Sequence, residues 1–208
     1  MSHVYEIAIQ AVKPDQTTSY PQARADFLRV LQEQPGVERD WTFESFFTMP
    51  EPDQTRVLVG LTRWRSAADF AAASGKLMPT AEARAVFSKV DMRAFVQVRT
   101  ADGEPFHLED ELQGPDQVLE VAVRRPKAGV SEEQFQAARK GFFDRIAEQP
   151  GHLFDRELVD DDGNRVVLIG WRSSEDFQSA LGALQACPEM GAFFGILDVQ
   201  AYQAARMS

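Results

Sequence analysis

The spacing of apolar residues along the first half of the chain follows strand and helix patterns in turn. A period of two, typical of a half-buried strand, runs through residues 4–10, and apolar residues at helical spacing then continue to Gln34. Two strands around a proline-rich turn, a helical region interrupted at residues 75–79 and a last strand follow. The predicted strands are residues 4–10, 39–47, 56–64 and 91–98. The predicted order is βαββαβ.

The second half of the chain repeats this order. One helix is predicted to start at Ser131, where Gln134 completes a capping box, and another starts at Ser173 and breaks near Cys187 and Pro188. The predicted strands are residues 118–123, 154–159, 165–171 and 198–204. The chain therefore contains two copies of one unit, and internal repetition of this kind determines the interpretation of the fold.

Two short sequences recur at matching places in the copies. Glu-Gln-Pro-Gly at residues 33–36 returns at residues 148–151, where Pro-Gly is expected to end a helix. Trp-Arg-Ser at residues 64–66 returns at residues 171–173, where the serine is expected to cap the next helix. The register shift is 115 residues for the first sequence (148 minus 33) and 107 for the second (171 minus 64). The copies therefore differ by a shorter connection between these landmarks.

These landmarks divide the chain into a first repeat at residues 1–98, a linker at residues 99–116 and a second repeat at residues 117–208. The linker contains glycine, proline and an acidic run, which indicate an exposed connector. Phe106 and Leu108 leave open that it is pinned to the surface.

Each repeat is expected to form a four-stranded antiparallel sheet with both helices on one face. The other face would then be bare, and soluble monomers rarely expose so large an apolar surface. Two sheets packed against each other remove this exposure. We therefore expect a pseudo-dimer within one chain, with a pocket between the sheets.

The order of strand, helix ending in Gln-Pro-Gly, hairpin, Trp-Arg-Ser, helix and strand resembles the antibiotic biosynthesis monooxygenase family of dimeric α+β barrels, present twice. The resemblance covers nearly the whole chain apart from the linker. It implies tandem ferredoxin-like βαββαβ repeats packed sheet to sheet as an intramolecular barrel. The family includes cofactor-independent oxygenases of polyketide quinols or anthrones, haem-degrading enzymes and barrels of unknown role.

The chain departs from the family's pattern at several positions. Members often place a histidine nine residues after the tryptophan, where this chain has Ala73 and Ala180. The haem degraders use an asparagine, a tryptophan and a histidine, whereas Asn164, the one asparagine here, lies in a predicted hairpin turn. We therefore expect no haem degradation by that route, and neither a metal nor an organic cofactor.

Glu6 and Glu120 occupy the same place in the first strand of each repeat. If the large residues beside them face the helices, both carboxylates point between the sheets. Two acids in an apolar chamber would have raised pKa values and could act as general base or acid. Alternatively, the glutamates lie near the barrel mouth and are solvated or paired with arginines.

Candidate substrate-binding residues are large aromatic side chains and one arginine near the expected pocket. Trp64 and Trp171 either pack under the following helix or stack on a planar substrate. Arg63 either orients an anionic oxygen or is an exposed residue at the end of its strand. The full set is Trp41, Phe43, Arg63, Trp64, Trp171 and Tyr202.

Other residues with catalytic or metal-binding potential are assigned no such role. His3, His107 and His152 are expected to be exposed, and their separation gives no metal-ligand spacing. Cys187 is expected to be a small buried residue. Residues 160–164 (Asp-Asp-Asp-Gly-Asn) lack the ligand pattern of a calcium loop, and they predict a hairpin turn.

Composition limits the partners. Of the residues, 44% are hydrophobic and 26% charged, values ordinary for a globular protein. The net charge of −10 makes nucleic acid an unfavourable partner. No apolar run approaches a membrane span, and a single cysteine favours a reducing compartment. We expect a cytoplasmic protein that binds a small hydrophobic or aromatic ligand as a monomeric pseudo-dimer, with further homodimerisation left open.

Two functional hypotheses remain at this point. The first is a cofactor-independent small-molecule monooxygenase acting on an aromatic or polyketide-like substrate, in which Glu6 or Glu120 deprotonates a phenolic group and the anion reacts with dioxygen. The second is a non-catalytic barrel that binds a small hydrophobic ligand or serves as a stress or regulatory module. An enclosed chamber holding Glu6, Glu120 or both would favour chemistry, whereas side chains filling the space between the sheets would oppose it.

Overall fold

The computed structural model describes residues 3–52 and 54–207, which form a mixed α+β fold. The strands are β1 (Val4–Val12), β2 (Val37–Met49), β3 (Arg56–Trp64), β4 (Val90–Thr100), β5 (Val118–Pro126), β6 (His152–Val159), β7 (Arg165–Trp171) and β8 (Leu197–Arg206). The helices are α1 (Tyr20–Gln32), α2 (Ala67–Leu77), α3 (Ala81–Phe87), α4 (Leu108–Glu111), α5 (Glu132–Ala147), α6 (Ser174–Leu184) and α7 (Pro188–Gly195).

The eight strands close into one antiparallel barrel in the order β1-β3-β2-β8-β5-β7-β6-β4. In the first half β1 lies between β3 and β4, and in the second half β5 lies between β7 and β8. The predicted packing of sheet on sheet needs one correction. The halves also join edge to edge, because β2 pairs with β8 and β4 pairs with β6. This pairing satisfies edge-strand backbone groups that would otherwise be left open.

The predicted helix starts are confirmed in detail. The Ser131 hydroxyl accepts a hydrogen bond from the backbone N–H of Gln134, whose side chain accepts one from the backbone N–H of Ser131. Ser66 and Ser173 cap α2 and α6 in the same manner, each accepting from the backbone N–H three residues later. These caps satisfy backbone donors that have no partner within the helix.

The two repeated sequences meet in space in each half. The backbone N–H of Arg65 donates to the carbonyl of Gly36 at 2.8 Å. Gly36 has φ +92°, and a Cβ there would lie 2.4 Å from Cβ of Asp69. Gly151, with φ +86°, has the same relation to Asp176. Glycine is therefore required at both helix ends by the backbone conformation and by the aspartate above it.

The barrel interior is a packed core, so the prediction of a pocket between the sheets is wrong. All eight strands contribute side chains to it, and Tyr5, Ile7 and Ile9 of β1 point inward. The even-numbered residues of β1 therefore face the helices, the reverse of the expected orientation. The physical reason is volume: the barrel can be filled only from its own strands, so it takes the larger side chains, whereas the helices help to fill the outer layer.

The linker closes one end of the barrel. Phe106 and Leu108 are 3% and 1% exposed and belong to the interior core, together with Leu112. The Tyr5 hydroxyl donates a hydrogen bond to the carbonyl oxygen of Phe106. Of the two interpretations left open, the pinned linker is the one observed: Phe106, Leu108 and Leu112 plug the barrel, while residues 101–105 remain exposed.

No helix in residues 3–52 and 54–207 is long and apolar enough to cross a membrane.

Candidate functional site

Glu120 lines a cavity between the sheet and the helices of the second half. The cavity has a volume of about 30 Å³ and is bounded by apolar side chains of α5, α6 and α7, including Phe142, Leu184 and Met190. Glu120 is the one carboxylate among its lining residues. A space of this size holds one or two water-sized groups. The second half therefore contains a lone acid facing a small apolar cavity.

Two further polar side chains line the same cavity. Gln203 of β8 lies opposite Glu120 in the strand register and is fully buried, and Trp171 at the end of β7 is 1% exposed. Both side chains are close enough to favour the charged form of Glu120. However, Nε1 of Trp171 and both amide atoms of Gln203 make no hydrogen bond of satisfactory geometry with any described residue. Buried polar atoms without partners are costly, so these atoms are available to a ligand.

Burial sets the protonation of Glu120. Desolvation raises the pKa of Glu120 to about 7, and the nearby Trp171, Gln203 and Arg124 oppose this only in part. A carboxyl group with a pKa near neutrality is present in both forms at pH 7. It can therefore accept a proton from a ligand or return one to it without a large free-energy penalty.

The first half has a matching acid in a more polar setting. Desolvation raises the pKa of Glu6 to about 7, against a hydrogen bond of 3.2 Å from Nε1 of Trp64. Asp40 lies nearby with a raised pKa of its own, caused by burial, and accepts a hydrogen bond from Thr62 at 2.8 Å. The Arg24 guanidinium favours the charged form of both acids. Glu6 and its tryptophan are thus already engaged with each other.

The structure does not bring Glu6 and Glu120 together between the sheets. Each acid lies on the helix side of its own half, beside the tryptophan that ends the neighbouring strand. The expectation of a shared chamber is corrected because the alternation of β1 and β5 is reversed relative to the prediction. Both the acids and the tryptophans recur in the sequence repeat. That each acid lies beside a tryptophan becomes evident only from the strand register.

Three of the predicted substrate-binding residues are part of the packed interior. Trp41, Phe43 and Tyr202 are 5%, 2% and 5% exposed and belong to the barrel core. Trp64 packs against Phe70 of α2, with ring centroids 5.6 Å apart, so its side chain lies under the following helix. Of the predicted aromatic residues, Trp171 is the one that lines the cavity.

Arg63 is neither exposed nor near the cavity. Its side chain is 8% exposed and donates two hydrogen bonds of 2.9 Å to Glu109 of the linker and one to Glu38. The guanidinium also contacts Nδ1 of His107 at 2.8 Å and lies over the ring of Trp41. Arg63 therefore fastens the linker plug to β3.

The histidines are less exposed than expected. His3 packs edge-on against His107 beside Arg63, and the ring of His152 packs against Trp171 with centroids 5.7 Å apart. Burial lowers the pKa of His152. Within the described residues, no group of three or more His, Cys, Asp or Glu side chains is arranged to hold a metal ion.

No protein-family model matches the chain, and no curated protein matches it in sequence. Solved structures match its fold. A provisionally assigned chlorite dismutase has a TM-score of 0.64 at 10% identity, covering 100% of this chain and 96% of that one. A point variant of chlorite dismutase from Candidatus Nitrospira defluvii has a TM-score of 0.62 at 13% identity, covering 99% and 91%. A provisionally assigned monooxygenase from Fusobacterium nucleatum has a TM-score of 0.60 at 10% identity, covering 100% and 93%. At these identities the likeness concerns the fold alone.

Proposed function

We propose that the protein is a small-molecule oxidoreductase of the monooxygenase type, whose substrate binds between the sheet and the helices of the second half. The observation that carries the proposal is the Glu120 carboxyl, with its pKa near 7, beside polar atoms of Trp171 and Gln203 that approach it without a hydrogen bond of good geometry. This arrangement offers a base, a hydrogen-bond donor and an amide to one edge of a planar ligand.

The proposed substrate is an electron-rich phenol of the quinol or anthrone type. Glu120 removes the phenolic proton, and Trp171 and Gln203 hydrogen-bond to oxygen atoms of the substrate. The anion then reacts with dioxygen, so that one oxygen atom enters the product as a ketone and the other leaves as water. The proposal requires neither a metal nor an organic cofactor.

The cavity must widen to admit an aromatic ring. Met49 and Met190 line it, and unbranched thioether side chains change conformation at low cost. The break between α6 and α7 lies beside the same wall. We therefore propose that substrate enters by displacing Met190 and its neighbours on α7.

A non-catalytic barrel that binds a small hydrophobic ligand is the second candidate. Two observations favour it: the barrel interior is filled, and the cavity beside Glu120 is small. Both candidates predict ligand binding at this cavity, and they differ in whether oxygen is consumed.

Oxygen consumption with a panel of quinols and anthrones tests the proposal. The wild-type rate should rise with pH around an apparent pKa of about 7, and Glu120→Gln should lower it at least about 100-fold, the scale of a lost general base. Glu6→Gln is the matched control, since Glu6 has a similar pKa but is bonded to Trp64. Equal rates in all three proteins would refute the role of Glu120. Binding without oxygen uptake would favour the second candidate.

We also propose how the fold is divided along the chain. We infer that residues 1–98 and 117–208 are ferredoxin-like repeats joined by the linker at residues 99–116. Their common element order and strand pairing support this inference. When residues 1–116, which include the linker, and residues 117–208 are co-expressed as separate chains, they should form a 1:1 complex with the circular dichroism spectrum of the intact protein. Failure to associate would count against the inference.

A further inference from the structure

Among the strands that the structure describes, the outer edge of β4 is paired only at its C-terminal end. Among the described residues, β6 pairs with β4 through Arg99 with Val159 and Thr100 with Leu158, and no strand pairs beside residues 94–98 on this edge. A groove of about 710 Å³, here called the β4 groove, lies along the edge between the start of α2 and the turn at residues 160–164. An edge of this kind offers backbone N–H and C=O groups to a partner strand.

The two halves join at two places, here called seams: β4 with β6 and β2 with β8. The second seam shows how such an edge is covered. There β2 pairs with β8 from Phe43 opposite Arg206 to Met49 opposite Ala201. The covering segment, residues 45–49, is here called the β2 arm. Its Phe46 and Phe47 pack against Phe177 of α6, with ring centroids 6.3 and 5.8 Å apart.

The difference between the seams is encoded in the sequence repeat. The register shifts of 115 and 107 residues mean that the second copy lacks eight residues (115 minus 107) between its two landmarks. The missing residues fall in the hairpin, where β6 ends at Val159 and β7 begins at Arg165. The first half therefore supplies an arm that covers β8, whereas the second half has no arm to cover β4.

The β4 groove has the side chains to receive an arm. Phe70 of α2 corresponds to Phe177, since each packs against its tryptophan, Trp64 at 5.6 Å and Trp171 at 6.1 Å. On its other side Phe70 contacts Phe95 of β4, which is 49% exposed. The opposite wall is acidic, formed by residues 160–162, of which Asp161 pairs with Arg99.

We propose that the β4 groove binds an extended peptide segment of another protein. The segment pairs with residues 94–98 as an additional strand, places an aromatic side chain on Phe70 and Phe95, and directs a basic residue to the acidic turn. Strand addition of this kind takes its affinity from main-chain hydrogen bonds and its specificity from alternate side chains.

Charge favours such a partner over a second copy of this chain. Each chain carries a net charge of −10, which opposes self-association, and the groove itself has an acidic wall. The chain's own β2 arm, the segment with the appropriate aromatic residues, is already paired with β8. The partner is therefore expected to be a basic and aromatic segment from a different protein.

A synthetic peptide tests the proposal on the full chain. The probe is fluorescein-labelled Lys-Ser-Phe-Phe-Thr-Met-Lys, which copies residues 45–49 between two lysines, and binding is followed by fluorescence anisotropy. We expect saturable binding and slower hydrogen exchange of the backbone amides at residues 94–98. Phe95→Ala should weaken binding about tenfold, because an aromatic contact and its buried area are lost. Phe46→Ala, which alters the other seam, should leave the affinity unchanged.

A graft provides a second test that keeps Phe70 and Phe95 in place and replaces the acidic turn. Replacing residues 160–164 by a copy of residues 45–55 gives the second half its own arm, which should cover β4 and abolish peptide binding. The proposal is overturned if the peptide does not bind saturably, or if Phe95→Ala and the graft leave binding unchanged. It is also overturned if the protein sediments as a homodimer that Phe95→Ala dissociates, since a second copy then occupies the edge.

Discussion

Replacing Glu120 by glutamine should change how the stability of the protein depends on pH. The pKa of Glu120 is raised from 4.5 to about 7 in the folded protein. Between these values the folded state holds a proton that the unfolded state has lost. The free energy of unfolding should therefore fall as the pH rises through this window and level off above pH 7. An amide does not titrate, so the Glu120→Gln variant lacks this contribution.

The magnitude follows from the same two pKa values. At about 1.4 kcal/mol per pH unit, the difference between 4.5 and about 7 is worth about 3 kcal/mol. About 2.5 kcal/mol of it falls between pH 5.0 and pH 8.0. Glu6 titrates in the same window, but it is present in both proteins and cancels in the comparison.

Urea unfolding at pH 5.0 and pH 8.0 measures the effect. Between the two pH values, the free energy of unfolding of wild type should fall by about 2.5 kcal/mol more than that of Glu120→Gln. Glu133→Gln, which removes an exposed carboxylate from the first turn of α5, serves as the control and should follow wild type. Parallel pH dependences of wild type and Glu120→Gln would refute the assignment of a buried, protonated carboxyl group.

Further predictions concern stability and are measured by urea unfolding at pH 7. Gly151→Ala should lower the free energy of unfolding by about 2 kcal/mol or more, because φ is positive and a Cβ would overlap the neighbouring aspartate. The control Gly182→Ala in α6 should raise it by up to about 1 kcal/mol. Equal effects would contradict the explanation of the repeated glycine. Trp64→Phe should cost about 1–2 kcal/mol more than Trp171→Phe, because the indole N–H of Trp64 donates to Glu6 at 3.2 Å, whereas that of Trp171 lies near Glu120 without a hydrogen bond of good geometry. A larger cost for Trp171→Phe would show that its indole N–H is engaged. Phe106→Ala should cost about 3–5 kcal/mol, and a cost below about 1 kcal/mol would mean that the linker does not plug the barrel.

The sequence predicts the secondary structure well because the signals are local. The predicted bounds of β7, residues 165–171, coincide with those in the structure, and Ser131 makes the capping box expected from its spacing to Gln134. A cap and a Pro-Gly stop depend on a few neighbouring residues. They can therefore be recognised without knowledge of the tertiary fold.

The orientation of β1 could not be obtained in this way. Alternation shows that Tyr5 and Ile7 share one face and Glu6 and Ala8 the other, but both faces of this strand are buried. Which face lies inside the barrel depends on packing between the two halves. The pattern alone contains no information on that choice.

The candidate site required long-range information. Gln203 enters the cavity because β8 pairs with β5 in a particular register, which places it opposite Glu120 from 83 residues further along the chain (203 minus 120). The repeat offered one signal, since Gln97 lies opposite Glu6 in the first half. Recognising a glutamine opposite each paired glutamate would have pointed to the site.

The protonation of Glu120 is the most direct test of the account. Carbon-13 NMR of the glutamate side-chain carboxyl groups, recorded from pH 4 to pH 9, reports each midpoint separately, and Glu120→Gln identifies the resonance of interest. We expect a carboxyl resonance with its midpoint near pH 7 that is absent from the variant. A midpoint near 4.5 for Glu120 would show a solvated carboxylate and contradict the proposed site.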